Sequence, residues 1–221
     1  MKIAIMQPYF LSHIAYFQLI RSVDKFVFYD NVNYKKNGWI NRNLLKNGES
    51  FTIPIKKQSQ NKLIMNSEIK WEDKLIRKFL KKVNLLYSSY PNFKKISLIL
   101  EKILSPKYRT ISELAIASTI EVSKYLDIKT DFKIASTQNY TQGKDRVQSL
   151  VNICKKEDAH IYINAQNGQN LYTRKDFEQY KIKLLFILSN PSYSILDACF
   201  TLDKNIIKEK LNNYSLCEAK L

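Results

Sequence analysis

Apolar and polar positions alternate with two different periods along this chain, and the switches between them outline its elements. Lys2 to Met6 is a short apolar strand that Gln7-Pro8 ends. Phe10, Ile14, Phe17 and Ile20 then recur at spacings of three and four, the pattern of a helix with one apolar face. Phe26-Val-Phe-Tyr29, bounded by charge, predicts a second strand. Strand, helix and strand in such quick succession form a βαβ unit, which implies a right-handed crossover and a parallel sheet. Asp30 to Gly48 is polar, rich in Asn, Tyr and Lys, and too irregular for a long element. Phe51 to Lys56 alternates and predicts a strand, with Pro54 marking an edge or an early end.

The middle reads as helical. Leu75, Phe79, Val83 and Leu86 form a stripe after Trp71, with Lys74, Lys78, Lys81 and Lys82 on the other faces. Pro91 separates this from a second helix at about Phe93 to Leu104, and Pro106 separates that from a third. The third starts near Thr110 or Ser112, with Ser112 as a candidate N-cap. Strand patterns then return at Phe132 to Ala135, His160 to Ile163 and Ile182 to Leu188. A helix carrying Val147, Leu150, Val151 and Cys154 follows Gln142-Gly-Lys-Asp145, and Phe177 sits in a short one. The pattern therefore predicts one α/β domain over residues 1–221: three-layer, with a mostly parallel, Rossmann-like or nucleotidyltransferase-like sheet. A helical layer or insertion spans about 71–126.

Composition narrows the functional classes. The chain is 45% hydrophobic, enough for a real core, and has 4 Gly and 5 Pro. No apolar run is long enough for a membrane span, and Gln7-Pro8 interrupts the N-terminal apolar stretch too early for a signal peptide. A cytoplasmic protein is expected. Three widely spaced cysteines, Cys154, Cys199 and Cys217, argue against a disulfide framework and against structural zinc. Two histidines exclude any mechanism that needs several imidazoles. The formal net charge is +16, but the excess is lysine. Arginine, the better reader of phosphates and bases, is scarce, so specific nucleic-acid binding is not expected.

In a parallel sheet the loops at the strand C-termini hold the ligand. The first, Gln7-Pro-Tyr-Phe-Leu-Ser-His13, has no glycine, so it is neither a GxGxxG turn nor a Walker loop. Gln7, Tyr9 and the helix-end N–H groups can still meet an anion or a polar ligand. His13 reads either as a structural histidine or as an acid–base group. The second loop runs from Asp30 to Asn43. It offers a carboxylate, then Tyr34, Trp39, Asn41 and Arg42: hydrogen-bonding groups for sugar hydroxyls, aromatic faces for stacking and a cation for phosphate. Its alternative is a polar surface loop anchored by Trp39. Gly143-Lys144 at a helix start suits phosphate, or is simply a cap. Gly168 and Tyr172 follow another strand end, and Ser194 and Asp197 read as caps of a short terminal helix. Cys154 and Cys199 read as core, and a Cys nucleophile paired with His160 has only spacing to recommend it.

Several of these segments together resemble the WbqC-like family. They are Met6-Gln-Pro-Tyr-Phe10, Ala15-Tyr-Phe-Gln-Leu-Ile20, Val23 to Asp30 and Lys36-Asn-Gly-Trp-Ile-Asn-Arg42. Tyr90-Pro-Asn-Phe93, Gly143-Lys144, Tyr162, Gly168 to Tyr172 and Ser194-Ile-Leu-Asp197 extend the likeness over nearly the whole chain. Similar sequences carry aromatic, Pro and Gly residues where this chain has Ser12-His13 and Ala15, which weighs against a family-wide catalytic role for His13. The resemblance implies a setting in bacterial O-antigen and other surface-polysaccharide synthesis. It leads to the expectation of a cytosolic transferase acting on a nucleotide-linked amino sugar by acyl or aminoacyl transfer, with an acyl donor as second partner. A glycosyltransferase or a non-enzymatic sugar-nucleotide-binding protein is the alternative. Asp30 and His13 are the candidate catalytic residues. Gln7, Tyr9, Tyr34, Trp39, Asn41, Arg42, Lys144, Gly168 and Tyr172 are the candidate binding residues. No pattern specifies a metal, a cofactor or an oligomeric state.

Overall fold

A computed structural model describes residues 1–46, 48–59, 61–189 and 194–220. Six strands form one sheet: β1 (Lys2–Met6), β2 (Lys25–Phe28), β5 (Asp131–Ile134), β6 (Ile161–Ala165), β7 (Lys183–Leu188) and β8 (Ser215–Glu218). Their spatial order is β5-β2-β1-β6-β7-β8. All neighbours are parallel except β8, which runs antiparallel along β7. The chain leaves β1 to build one side of the sheet and later returns to build the other. That reversal puts a topological switch point between β1 and β6.

Side chains that alternate along each strand feed two cores. Ile3 and Ile5 of β1, Val27 of β2 and Phe186 of β7 pack with α5 (Arg146–Lys156) and α6 (Arg174–Glu178) on one face. Ala4, Phe26, Phe28 and Ile163 pack on the other, against α1 (Ile14–Arg21), α4 (Ile111–Tyr125), α7 (Ile195–Thr201) and α8 (Lys204–Asn212). The result is a three-layer, Rossmann-like arrangement, as the sequence pattern predicts. The helical middle is α2 (Asp73–Tyr87), α3 (Phe93–Ile103) and α4. Of these, α4 leads directly into β5, and all three join the second core through Phe79, Leu100 and Leu114.

The structure departs from the sequence reading in four places. Phe10 lies before α1 rather than in it, and its N–H donates to Ile40 O at 2.9 Å. The strand expected at 51–56 is only β4 (Ser50–Thr52). It pairs with β3 (Arg42–Leu44) as a separate antiparallel ribbon, because Pro54 ends it before it can join the main sheet. The N-cap of α4 is Thr110, in a reciprocal capping box with Glu113, which leaves the Ser112 hydroxyl free for another partner. Finally, α8 and β8 carry no signal strong enough to be read from the sequence.

Candidate functional site

The loops that leave β1, β2, β5, β6 and β7 all emerge at the same sheet edge. The first is held by an unusual convergence. Leu11 has φ of 44°, a left-handed conformation that a bulky side chain adopts only under constraint. Its N–H donates to Ser118 Oγ of α4 at 3.2 Å. Its carbonyl accepts from Asn43 Nδ2 of β3 at 2.5 Å and from Ser194 Oγ, just before α7, at 2.7 Å. Ile195 N–H reaches Ser12 O at 2.7 Å beside these contacts. Upstream, the Tyr9 hydroxyl donates to Gln7 Oε1 at 3.3 Å and the Tyr16 hydroxyl to Gln7 O at 3.0 Å. The Tyr9 ring meets Tyr16 edge-on, and burial raises both phenols above the ordinary range.

His13 is the N-cap position of α1 but makes no side-chain cap. Its Nδ1 is buried with no partner among the described residues, and desolvation lowers its pKa, favouring the neutral ring.

Asp30 turns inward. Only 2% exposed, its carboxylate accepts from Ser136 N–H at 2.9 Å, Ser136 Oγ at 2.8 Å and Ser112 Oγ at 3.0 Å. Met65 N–H donates to its carbonyl at 2.9 Å. One carboxylate thus clasps the exit of β2 to the start of α4 and to the turn after β5. The rest of the second loop folds onto the β3–β4 ribbon. The Tyr34 hydroxyl donates to Asn41 Oδ1 at 2.8 Å, and Asn41 Nδ2 to Ile53 O at 2.7 Å. Arg42 donates to Asn37 O at 2.5 Å and stacks its guanidinium 4.9 Å from the Trp39 ring, which is half exposed.

Lys144, Gly168 and Tyr172 lie on the α5–α6 face. Within Gly143 to Arg146, Asp145 caps α5 by accepting from Gln148 N–H at 2.8 Å, the cap alternative for this segment. Gly168 is there for space, since a Cβ would sit 2.7 Å from Asn164 Nδ2. Tyr172 packs edge-on against Phe177, and burial raises its phenol above the ordinary range, partly offset by the Arg146 charge. Cys154 and Cys199 are buried, and burial pushes each thiol up to about 12. The His160 ring instead faces Asp158 O at 3.1 Å.

Among the described residues a cavity of about 820 Å³ opens at this edge, between the carboxyl ends of β6 and β7, the start of β8 and helices α1, α7 and α8. Ile14, Gln18, Gln166, Leu188, Ser194 and Asp197 contribute to its walls, with Lys46 and Lys210 as cations. None of the residues read as a site from the sequence lines it, though Ile14 follows His13 directly. The sequence reading did not single out Gln18 or Lys46, and read Asp197 only as a cap, although all three line this cavity. The legible signals were a glutamine in an apolar helical run and the Ser194-Ile-Leu-Asp197 segment. Of the latter pair, Ser194 does cap α7, accepting from Leu196 N–H at 3.2 Å, but Asp197 does not act as a cap. Among the described residues no cluster of His, Cys, Asp or Glu is placed to hold a metal, and no helix is long and apolar enough to cross a membrane.

Comparison with known proteins adds two findings. The model of the WbqC-like protein family matches residues 7–207. An uncharacterized protein of Mycobacterium tuberculosis is 25% identical over 188 residues, which cover 83% of this chain and 80% of that protein. No solved structure matches.

Proposed function

We propose that this chain, which belongs to the WbqC-like protein family, is an enzyme that modifies a nucleotide-linked sugar at the carboxyl edge of its sheet. The observation that carries this reading is the cavity of about 820 Å³ at the carboxyl ends of β6 and β7, next to the β1–β6 switch point, the edge where doubly wound sheets hold ligands. Its walls mix apolar surface with amides, hydroxyls and a carboxylate suited to sugar hydroxyls. Lys210 supplies a cation for a diphosphate. The reaction we favour is acyl or aminoacyl transfer to an amino sugar, in the cytosolic assembly of bacterial surface polysaccharide. In this reading Asp30, Tyr34, Asn41, Trp39 and Arg42 act as a frame that fixes the second loop. Gln7, Tyr9 and His13 belong to the neighbouring first loop, and Lys144, Gly168 and Tyr172 stand on the opposite face of the sheet.

The test is thermal stabilisation against a panel of nucleotides, nucleotide sugars and acyl-coenzyme A. A ligand present at a hundred times its Kd stabilises by about 2.7 kcal/mol, which at this chain length moves the melting temperature by roughly 5–10 °C. A shift with nucleotide sugars, enhanced by an acyl donor, is the expected result. A shift with nucleotide sugars alone points to the glycosyltransferase or binding-protein alternative. No shift with any nucleotide sugar overturns the reading.

A further inference from the structure

Asp197 lies in the first turn of α7, 7% exposed, on the wall of the cavity. Its Oδ1 accepts two hydrogen bonds, one from Lys46 N–H at 2.7 Å and one from the Tyr87 hydroxyl. These fix the carboxyl plane. Its Oδ2 is buried and has no donor among the described residues. The nearby cation makes no ion pair with it. The Lys46 ammonium is turned onto Tyr90, donating to the hydroxyl at 3.0 Å and lying 5.5 Å from the ring centre. Cys199, also in its field, is a buried neutral thiol.

Gln18 lines the same cavity from α1. Its Nε2 donates to Lys210 O at 2.8 Å and to Asn213 O at 2.9 Å. Both partners are carbonyls, so the amide can be oriented only one way, and its Oε1 is left buried without a donor among the described residues. Two residues on the wall of one cavity therefore each hold a buried acceptor, locked through the other atom, that no described residue satisfies. Leaving buried acceptors unpaired is costly, and evolution keeps such groups where a ligand completes them. A carboxylate with an open lone pair selects a donor that also carries positive charge, and a primary ammonium brings three N–H groups.

We propose that Asp197 and Gln18 receive the free amino group of the sugar and so select an amine-bearing substrate over its hydroxyl or N-acylated counterparts. The proposal rests on reading the cavity as a nucleotide-sugar site, and it names the substrate class that site takes. It also fits an acceptor that is acylated, because product would lose both the charge and two of its donors.

The experiment compares UDP-glucosamine, UDP-N-acetylglucosamine, UDP-glucose and UDP by titration calorimetry and thermal shift on the parent, Asp197→Asn and Tyr87→Phe. Free glucosamine against glucose at high concentration forms a separate arm. The parent is expected to bind the free amine about tenfold more tightly than either counterpart. Asp197→Asn should erase that preference while leaving the UDP contribution unchanged, and Tyr87→Phe should weaken it. Asn keeps the acceptor for Lys46 N–H and Tyr87 while removing a buried charge, so the variant should melt at or above the parent. Preference for the amine that survives in Asp197→Asn overturns the proposal, as does a lower melting temperature, which makes the carboxylate a structural clasp. If no UDP compound binds but glucosamine is still preferred over glucose in the parent and not in Asp197→Asn, the nucleotide reading fails and the amine site stands. If neither arm shows an amine preference in the parent, the amine site fails.

Discussion

Replacing Asp30 by Ala should destabilise the protein strongly, and the magnitude follows from what its two oxygens hold. Three donors converge on them: Ser136 N–H, Ser136 Oγ and Ser112 Oγ, all within 3.0 Å. A hydrogen bond to a charged group is worth about 1.5–3 kcal/mol. Bonds that share one acceptor are not additive, and the two hydroxyls can rotate toward other acceptors. The Ser136 amide cannot, and it is left facing the space the carboxylate vacated. The net loss is about 3 kcal/mol, or roughly 6–12 °C in melting temperature for a chain of this length. Asp30→Asn keeps one acceptor for the amide and lets the hydroxyls accept from the new NH₂ group, so about 1 kcal/mol is expected. Differential scanning calorimetry together with urea unfolding would measure both. An Ala variant melting within about 2 °C of the parent would refute the clasp and return Asp30 to the list of groups available for chemistry.

Three further outcomes follow from the packing. Gly143→Ala places a Cβ 2.4 Å from Ser149 N and 2.6 Å from Gln148 C, both backbone, so α5 must shift. A loss of about 1–3 kcal/mol is expected in denaturant unfolding, and an unchanged midpoint would contradict it. With Cys154 and Cys199 buried and held up to about 12, a thiol reagent at pH 8 should label Cys217 rapidly and the other two only after unfolding. Three fast thiols would contradict this burial. Lys204 and Lys208 hold the Asp127 carboxyl at about 2, below its unfolded value near 3.8. The stability it contributes is present above the unfolded pKa and is lost as pH falls from about 4 toward 2. Asp127→Asn should flatten the acid limb of the stability profile between those values, and a superimposable profile would show that the pairing adds nothing.

The scaffold was legible where burial dictated residue type. β1 is buried in the middle of the sheet, so Ile3 to Met6 reads as a continuous apolar run. The stripes of α2 and α3 read as helices because one face alone is covered. The sequence said less where the partner was distant. β8 is half polar, Ser215 to Glu218, because it is an edge strand paired on one side, and nothing local marks it. Asp30 looked available because a carboxylate after a strand commonly meets a ligand. Its partners, Ser112 and Ser136, lie 82 and 106 residues away. Asp197 looked like a cap because it follows Ser194 in the first helical turn, and its true partners, Lys46 and Tyr87, are more than a hundred residues upstream. Motifs announced the edge of the sheet correctly, but side-chain orientation there is set by contacts no window of sequence contains.

The knot at Leu11 bears on how the chain matures. Its left-handed backbone is held by Asn43, Ser118 and Ser194, the last 183 residues further on. β1, at the centre of the sheet, likewise waits for β6 on its second side. On the ribosome the turn therefore gains its supports in stages: Asn43 first, Ser118 next and Ser194 last. Chains stalled or cut before Ser194 lack that clamp and should be degraded rather than accumulate as partly active fragments. The first loop thus records how far synthesis has gone: its third clamp closes only once Ser194 has been made.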